Sequence, residues 1–179
     1  MPSNSLKFLI DKITNSIESS TTGEGFVTKV ELVLADEIKH VHKKDGWLFN
    51  WKTEFKESER QLYKLTLIDS PVIQGLISLQ PVPDQEFVEM HLLESAPHNY
   101  GAHKEFLGVA GNLVAFACKS SIDLGYEGFV AFTAKTRLVD HYVETLGAQL
   151  IYGQERMAIF PDSARKLVTS YFKEYRNDR

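Results

Sequence analysis

The groups of this chain that could do chemistry gather in a few places, and one is the backbone of the run Gly108, Val109, Ala110, Gly111. It lies where an extended, alternating stretch gives way to a long helical pattern, and small residues at such a turn let backbone N–H groups approach an anion. Successive amides of Phe106, Leu107, Gly108, Val109, Ala110 and Gly111 could then cradle a phosphate. The same small residues serve tight helix packing equally well. Upstream, Glu89 and His91 are two positions apart on the alternating stretch, which directs both to one face of a strand. On residue type alone they form either a proton-handling pair or a solvated polar edge. His40, His42, His98 and His103 are ligand-type residues, yet no HExxH spacing or carboxylate cluster accompanies them, and no metal is expected. Cys118 sits beside Val114, Phe116 and Ala117 in the helical pattern and reads as a buried structural thiol.

The elements that must position these groups follow from periodicity. Leu6, Leu9, Ile10, Ile13 and Ile17 recur at helical spacing behind the cap candidates Ser3 and Asn4, predicting a helical N-terminal extension over 1–22. It would cover the sheet or pair two copies in a homodimer. Residues 26–34 are β-branched and read as a strand, and 35–60 as helical pieces broken near Asp45 and Gly46. A meander of strands over 62–68, 72–82 and 86–94 is followed by a helix from about Lys104 to Leu124, stopped by Gly125. A further strand over 127–134, a helix closed by Gly147, a hairpin and a last helix with Pro161 in its first turn complete a mixed α/β arrangement.

Composition narrows the function classes. At 179 residues with 43% hydrophobic content the chain suits a single domain, 1–179, with a substantial core. The net charge of -4 is spread along the chain, which argues against a nucleic-acid partner or an anionic membrane surface. A single cysteine excludes an internal disulfide and accords with a cytoplasmic setting. No apolar run reaches membrane-spanning length, and the first residues lack a secretory layout.

Taken in order, Leu93, Ser95 and Pro97 at a strand end, Gly108, Val109, Ala110, Leu113 and Val114 at a loop and helix start, and the later segment HYVETLGA carry a resemblance. The chain resembles the Gcn5-related N-acetyltransferase superfamily, in element order from about Phe26 to Phe160 and at motif level from Met90 to Gly147. The resemblance implies a mixed, mostly antiparallel sheet of about six or seven strands flanked by helices, here with the extra N-terminal helix. It implies acetyl-CoA as co-substrate and direct transfer of the acetyl group to an amine of a small molecule or protein.

The same resemblance assigns roles. Glu89 falls where several members carry a glutamate that removes the amine's proton, with His91 beside it, and Tyr142 is the candidate acid for the leaving thiolate. Leu93, Glu94 and Ser95 would hold the pantetheine arm, and Lys104 with the amides from Phe106 to Gly111 the pyrophosphate. Two positions depart from the family pattern. Glu105 stands where members carry Gln or Arg, so either Lys104 takes that place, Glu105 turns outward, or cofactor binding is weakened. Tyr142 is one residue out of register, leaving Val143 in the strict position, a turn of about 100° on a helix. Trp47, Phe49 and Trp51 would border the acceptor or pack in the core, and Glu86, Glu89 and Glu94 would favour a cationic amine. A non-catalytic protein of the same fold, binding CoA or another ligand as a sensor or interaction module, is the competing reading.

Overall fold

The computed structural model describes residues 5–12 and 16–172. In chain order these form β1 (Ile17–Ser19), β2 (Gly25–Phe26), β3 (Thr28–Leu32), α1 (Ala35–Ile38) and α2 (Trp51–Phe55). Next come β4 (Gln61–Leu67), β5 (Gly75–Val82), β6 (Phe87–Ser95), β7 (Phe106–Leu107) and α3 (Val109–Asp123). The chain continues through β8 (Val130–Thr133), α4 (Val139–Leu146), β9 (Gln149–Tyr152), β10 (Arg156–Ile159) and α5 (Pro161–Tyr171). A seven-stranded sheet runs in the order β3-β4-β5-β6-β8-β10-β9, with β6 and β8 its parallel pair and the other neighbours antiparallel. The expected meander is present as β4, β5 and β6.

The sheet is mixed and mostly antiparallel, as expected, and both faces are covered. On one face α3, α4 and α5 enclose Leu65, Ile77, Leu79, Val88, Met90 and Leu93, together with Leu113 and Val114 from α3. Each fully buried aliphatic side chain of this kind contributes about 1.5–3 kcal/mol. On the other face Trp47 and Trp51 pack on Leu62, Leu76 and Leu92. These tryptophans are 8% and 1% exposed and pack in the core, while Phe49 and Leu48 of the same segment border a cavity. Helix stops fall where glycine was read as one: Gly125 and Gly147 take φ of 84° and 66°.

The N-terminal helix is a correction. Residues 5–12 are extended, Leu6 bridges to Ala134 in parallel, and the chain continues into β1 of a separate three-stranded sheet, β2-β1-β7. Leu6, Phe8 and Ile10 are buried while Leu9 is 59% exposed, so the period is two rather than 3.6. The apolar residues at 6, 9 and 10 fitted both patterns, and pairing with β8 decided between them. The cap candidates Ser3 and Asn4, and Ile13, lie outside the described residues. The long helix also starts later than Lys104, because Gly108 adopts φ 89° as its cap and residues 106 and 107 pair with β1.

Candidate functional site

The site begins where two parallel strands part. β6 and β8 pair only through Val88 with Val130 and Glu89 with Ala131. Immediately beyond, the β5–β6 register runs Leu79 with Met90 and then Ser78 with Leu92, so His91 is the extra residue of a bulge that bends β6 away. The edge of β8 left free by this divergence is taken by the N-terminal segment: Leu6 donates to Thr133 O at 2.6 Å, and Lys135 N–H donates to Leu6 O at 3.0 Å. The facing edge of β6 has no strand partner beyond Glu89 among the described residues. A cavity of about 320 Å³ lies there, bordered by Phe8, Leu93, Ser95, Asn99, Tyr100 and Lys104.

Residues 5–12 are held along their length. The Tyr142 hydroxyl donates to Phe8 O at 2.6 Å, its ring stacks on Phe8 at 4.8 Å, and the side chain is completely buried. Burial pushes this phenol well above its ordinary range, so it holds its proton. Tyr142 rather than Val143 faces inward, Val143 being 46% exposed. Ile10 N–H donates to His141 Nε2 at 2.9 Å, and the Tyr171 hydroxyl donates to Lys12 O at 3.1 Å. At the far end the Asp11 carboxylate accepts from Gly108 N–H at 3.0 Å and pairs with Lys104 Nζ at 3.1 Å.

The turn before α3 is therefore already hydrogen-bonded in large part. Phe106 N–H donates to Asn99 Oδ1, Leu107 is paired with Glu18 in the small sheet, and Gly108 N–H serves Asp11. Val109, Ala110 and Gly111 are buried. A Cβ on Gly111 would collide with the Tyr171 hydroxyl, so at this position the small residue serves packing against α5. At Gly108 the φ of 89° disfavours any side chain. Glu105 has a 66% exposed side chain and points outward, one of the alternatives posed by the sequence, whereas Lys104 pairs with Asp11.

On the other face of β6 the proton-handling pair is separated in role. Glu89 forms a two-pronged ion pair with Arg156, at 2.7 Å to Nη1 and 2.5 Å to Nη2, and that carboxylate holds the guanidinium's pKa above its ordinary value. His91 keeps company with Gln80, Nε2 to Oε1 at 2.8 Å. Gln80 Nε2 donates to Glu59, which fixes the amide and leaves Oε1 as acceptor; His91 Nε2 therefore carries the proton and Nδ1 is bare. Burial, followed by the charge on Arg60, holds His91 below its ordinary pKa. Glu94 borders the cavity, but its carboxylate accepts from Leu48 N–H, Phe49 N–H and Trp51 Nε1 at 2.6, 3.2 and 2.8 Å. Of the three acidic residues singled out in the sequence, Glu89 is paired and Glu94 is enclosed, while Glu86 is exposed to solvent.

Sequence reading missed Asp11 and Arg156. Asp11 has partners more than 90 residues away, which no local pattern reveals. Arg156 was legible only as one side of an alternating hairpin strand. Cys118 is fully buried and burial pushes its thiol up to about 12, as a structural cysteine requires.

No protein-family model and no curated protein matches the sequence. Solved structures do match the fold. A chimeric spermidine N-acetyltransferase SpeG from Vibrio cholerae superposes with a TM-score of 0.51 at 13% identity, covering 78% of this chain and 98% of that one. The chain has the Gcn5-related N-acetyltransferase fold. A Bacillus subtilis acetyltransferase in complex with CoA superposes with a TM-score of 0.50 at 14% identity, covering 76% of this chain and 99% of the other. The V. cholerae spermidine/spermine N-acetyltransferase SpeG in complex with manganese ions gives 0.50 at 14%, covering 80% and 96%. Of the cofactor residues expected from the sequence, Leu93, Glu94, Ser95 and Lys104 border the cavity, and Gly108 meets it through its hydrogen bond to Asp11. Among the described residues no helix is long and apolar enough to cross a membrane.

Proposed function

We propose that this protein is an acyl-CoA-dependent N-acyltransferase that moves an acetyl group from acetyl-CoA directly to an amine of a small molecule or protein. The observation that carries the reading is the cavity between β6 and residues 5–12, with a β6 edge that has no strand partner beyond Glu89 among the described residues and anion donors converging on Asp11 in its lining. Gly108 N–H and the Lys104 ammonium both reach a single carboxylate, and that donor set suits a phosphate oxygen equally well. The free edge at Leu93 and Ser95 offers backbone groups to the amides of a pantetheine arm. Acetyl-CoA when bound supplies an activated thioester.

His91 is the residue we assign to proton removal. Its bare Nδ1 and lowered pKa keep it neutral at pH 7, whereas the Glu89 carboxylate is engaged by Arg156. Tyr142 holds its proton and could donate to a leaving thiolate only by exchanging its bond to Phe8 O. A cytoplasmic location accords with this co-substrate and with the single buried thiol. Calorimetric titration with acetyl-CoA, followed by release of free CoA thiol in the presence of amines, tests the reading. It predicts saturable binding and amine-dependent release; no binding at millimolar acetyl-CoA refutes it.

A specific observation favours a second reading, a non-catalytic binder. Glu89, Tyr142 and Gly108, each assigned a part in transfer or cofactor binding, are all engaged within the chain itself. Binding of acetyl-CoA without transfer to any amine would support that reading, and transfer abolished by His91→Asn excludes it.

A further inference from the structure

The groove carries an occupant of the chain's own. We propose that residues 5–12 are a built-in wall of the acyl-CoA groove and that Asp11, at their end, is an internal competitor for the cofactor's phosphates. This inference rests on the acyl-CoA reading and adds a regulatory contact to it. The segment divides into two parts of different character. Leu6, Phe8 and Ile10 are 0%, 7% and 6% exposed, and two backbone hydrogen bonds join Leu6 to the β8 edge. This part is fixed, because withdrawing it would expose three large apolar side chains.

Asp11 differs. Its carboxylate stands at the turn before α3, held by Gly108 N–H and Lys104 Nζ, and its removal leaves the buried stripe in place. The cavity of about 320 Å³ is bordered by both the segment and β6, and Lys104 and Asp11 are in its lining, so an anionic group of a ligand held there competes with that carboxylate for the same donors. Two anions cannot share these donors, since like charges at contact distance repel strongly in a partly enclosed site. The bound form therefore requires Asp11 to swing out, and the apparent affinity falls by the fraction of molecules in which it already has. The carboxylate also keeps the Lys104 ammonium directed into the groove in the free protein.

The test titrates the full chain with two probes, acetyl-CoA and inorganic pyrophosphate. Asp11→Ala is expected to bind both about tenfold or more tightly than the unaltered protein, and adding Lys104→Met is expected to remove most of that gain. Asp11→Asn, which keeps the size and removes the charge, carries the same test if the alanine variant does not fold. Equal or weaker binding of both probes by the Asp11 variants overturns the inference. If neither protein binds acetyl-CoA but the variant gains affinity for pyrophosphate, the acyl-CoA reading falls and Asp11 as an internal anion stands. If both bind acetyl-CoA equally, with pyrophosphate unchanged, the acyl-CoA reading stands and the role of Asp11 falls.

Discussion

His91 and Glu89 share a strand face and differ in what surrounds them. Because burial and Arg60 hold His91 below its ordinary value of 6.5, the folded chain takes up that proton less readily than the unfolded chain. Stability is then unaffected at neutral pH and declines as pH falls below about 6.5, through the lowered folded value. Denaturation followed against pH should show this slope in the unaltered protein and a flatter one in His91→Gln. If His91 is the base, its replacement by Asn should lower kcat/KM by about 10²–10⁴, and the acid limb of the pH profile should lie below 6.5. Glu89 should act through Arg156 instead. A double-mutant cycle of Glu89→Gln with Arg156→Met should give a coupling of about 1–2 kcal/mol in unfolding, the pair being bidentate and partly shielded. The adjacency of Glu89 and His91 was legible from their spacing. The ion pair was not, since Arg156 lies 67 residues further along the chain and only the β6-β8-β10 order brings it across.

Among the elements, the irregular segment around α2 is tied to the sheet by two buried carboxylates, Glu54 bonded to Ser78 of β5 and Glu94 of β6. Glu94 accepts from two backbone amides and the Trp51 indole, adding a polar tie to the apolar contact that Leu92 of β6 makes in the second cluster. Glu94→Ala leaves these donors unpaired and should destabilise the protein by about 2–4 kcal/mol, with thermal unfolding and Trp fluorescence both shifted. The meander, the hairpin and the helix stops were legible because their period and turn residues agree with the sheet they enter. The N-terminal segment was not, because Leu6, Leu9 and Ile10 satisfy a helical stripe while Leu6, Phe8 and Ile10 satisfy a strand. What settles the matter is a free β8 edge that only the assembled sheet provides. The packing of α3 shows the same dependence on context. Gly111 reads as a phosphate-approach residue until Tyr171 of α5 is seen to need the space.

For the whole molecule, the parting of β6 from β8 has candidate groups on both faces of β6. His91 and the Glu89–Arg156 pair stand where the strands separate, Tyr142 reaches into the gap from α4, and Lys104 and Gly108 close its far end. The segment over 5–12 lines the remaining side and its last carboxylate sits on the anion donors. The central claim, that acyl-CoA occupies this groove, is tested most directly by amide hydrogen exchange of the full chain with and without saturating acetyl-CoA. The account predicts slowed exchange concentrated in residues 92–96 and 104–111, with the β9–β10 hairpin unchanged. Unaltered exchange in both of those stretches, with protection appearing elsewhere or nowhere, would contradict it.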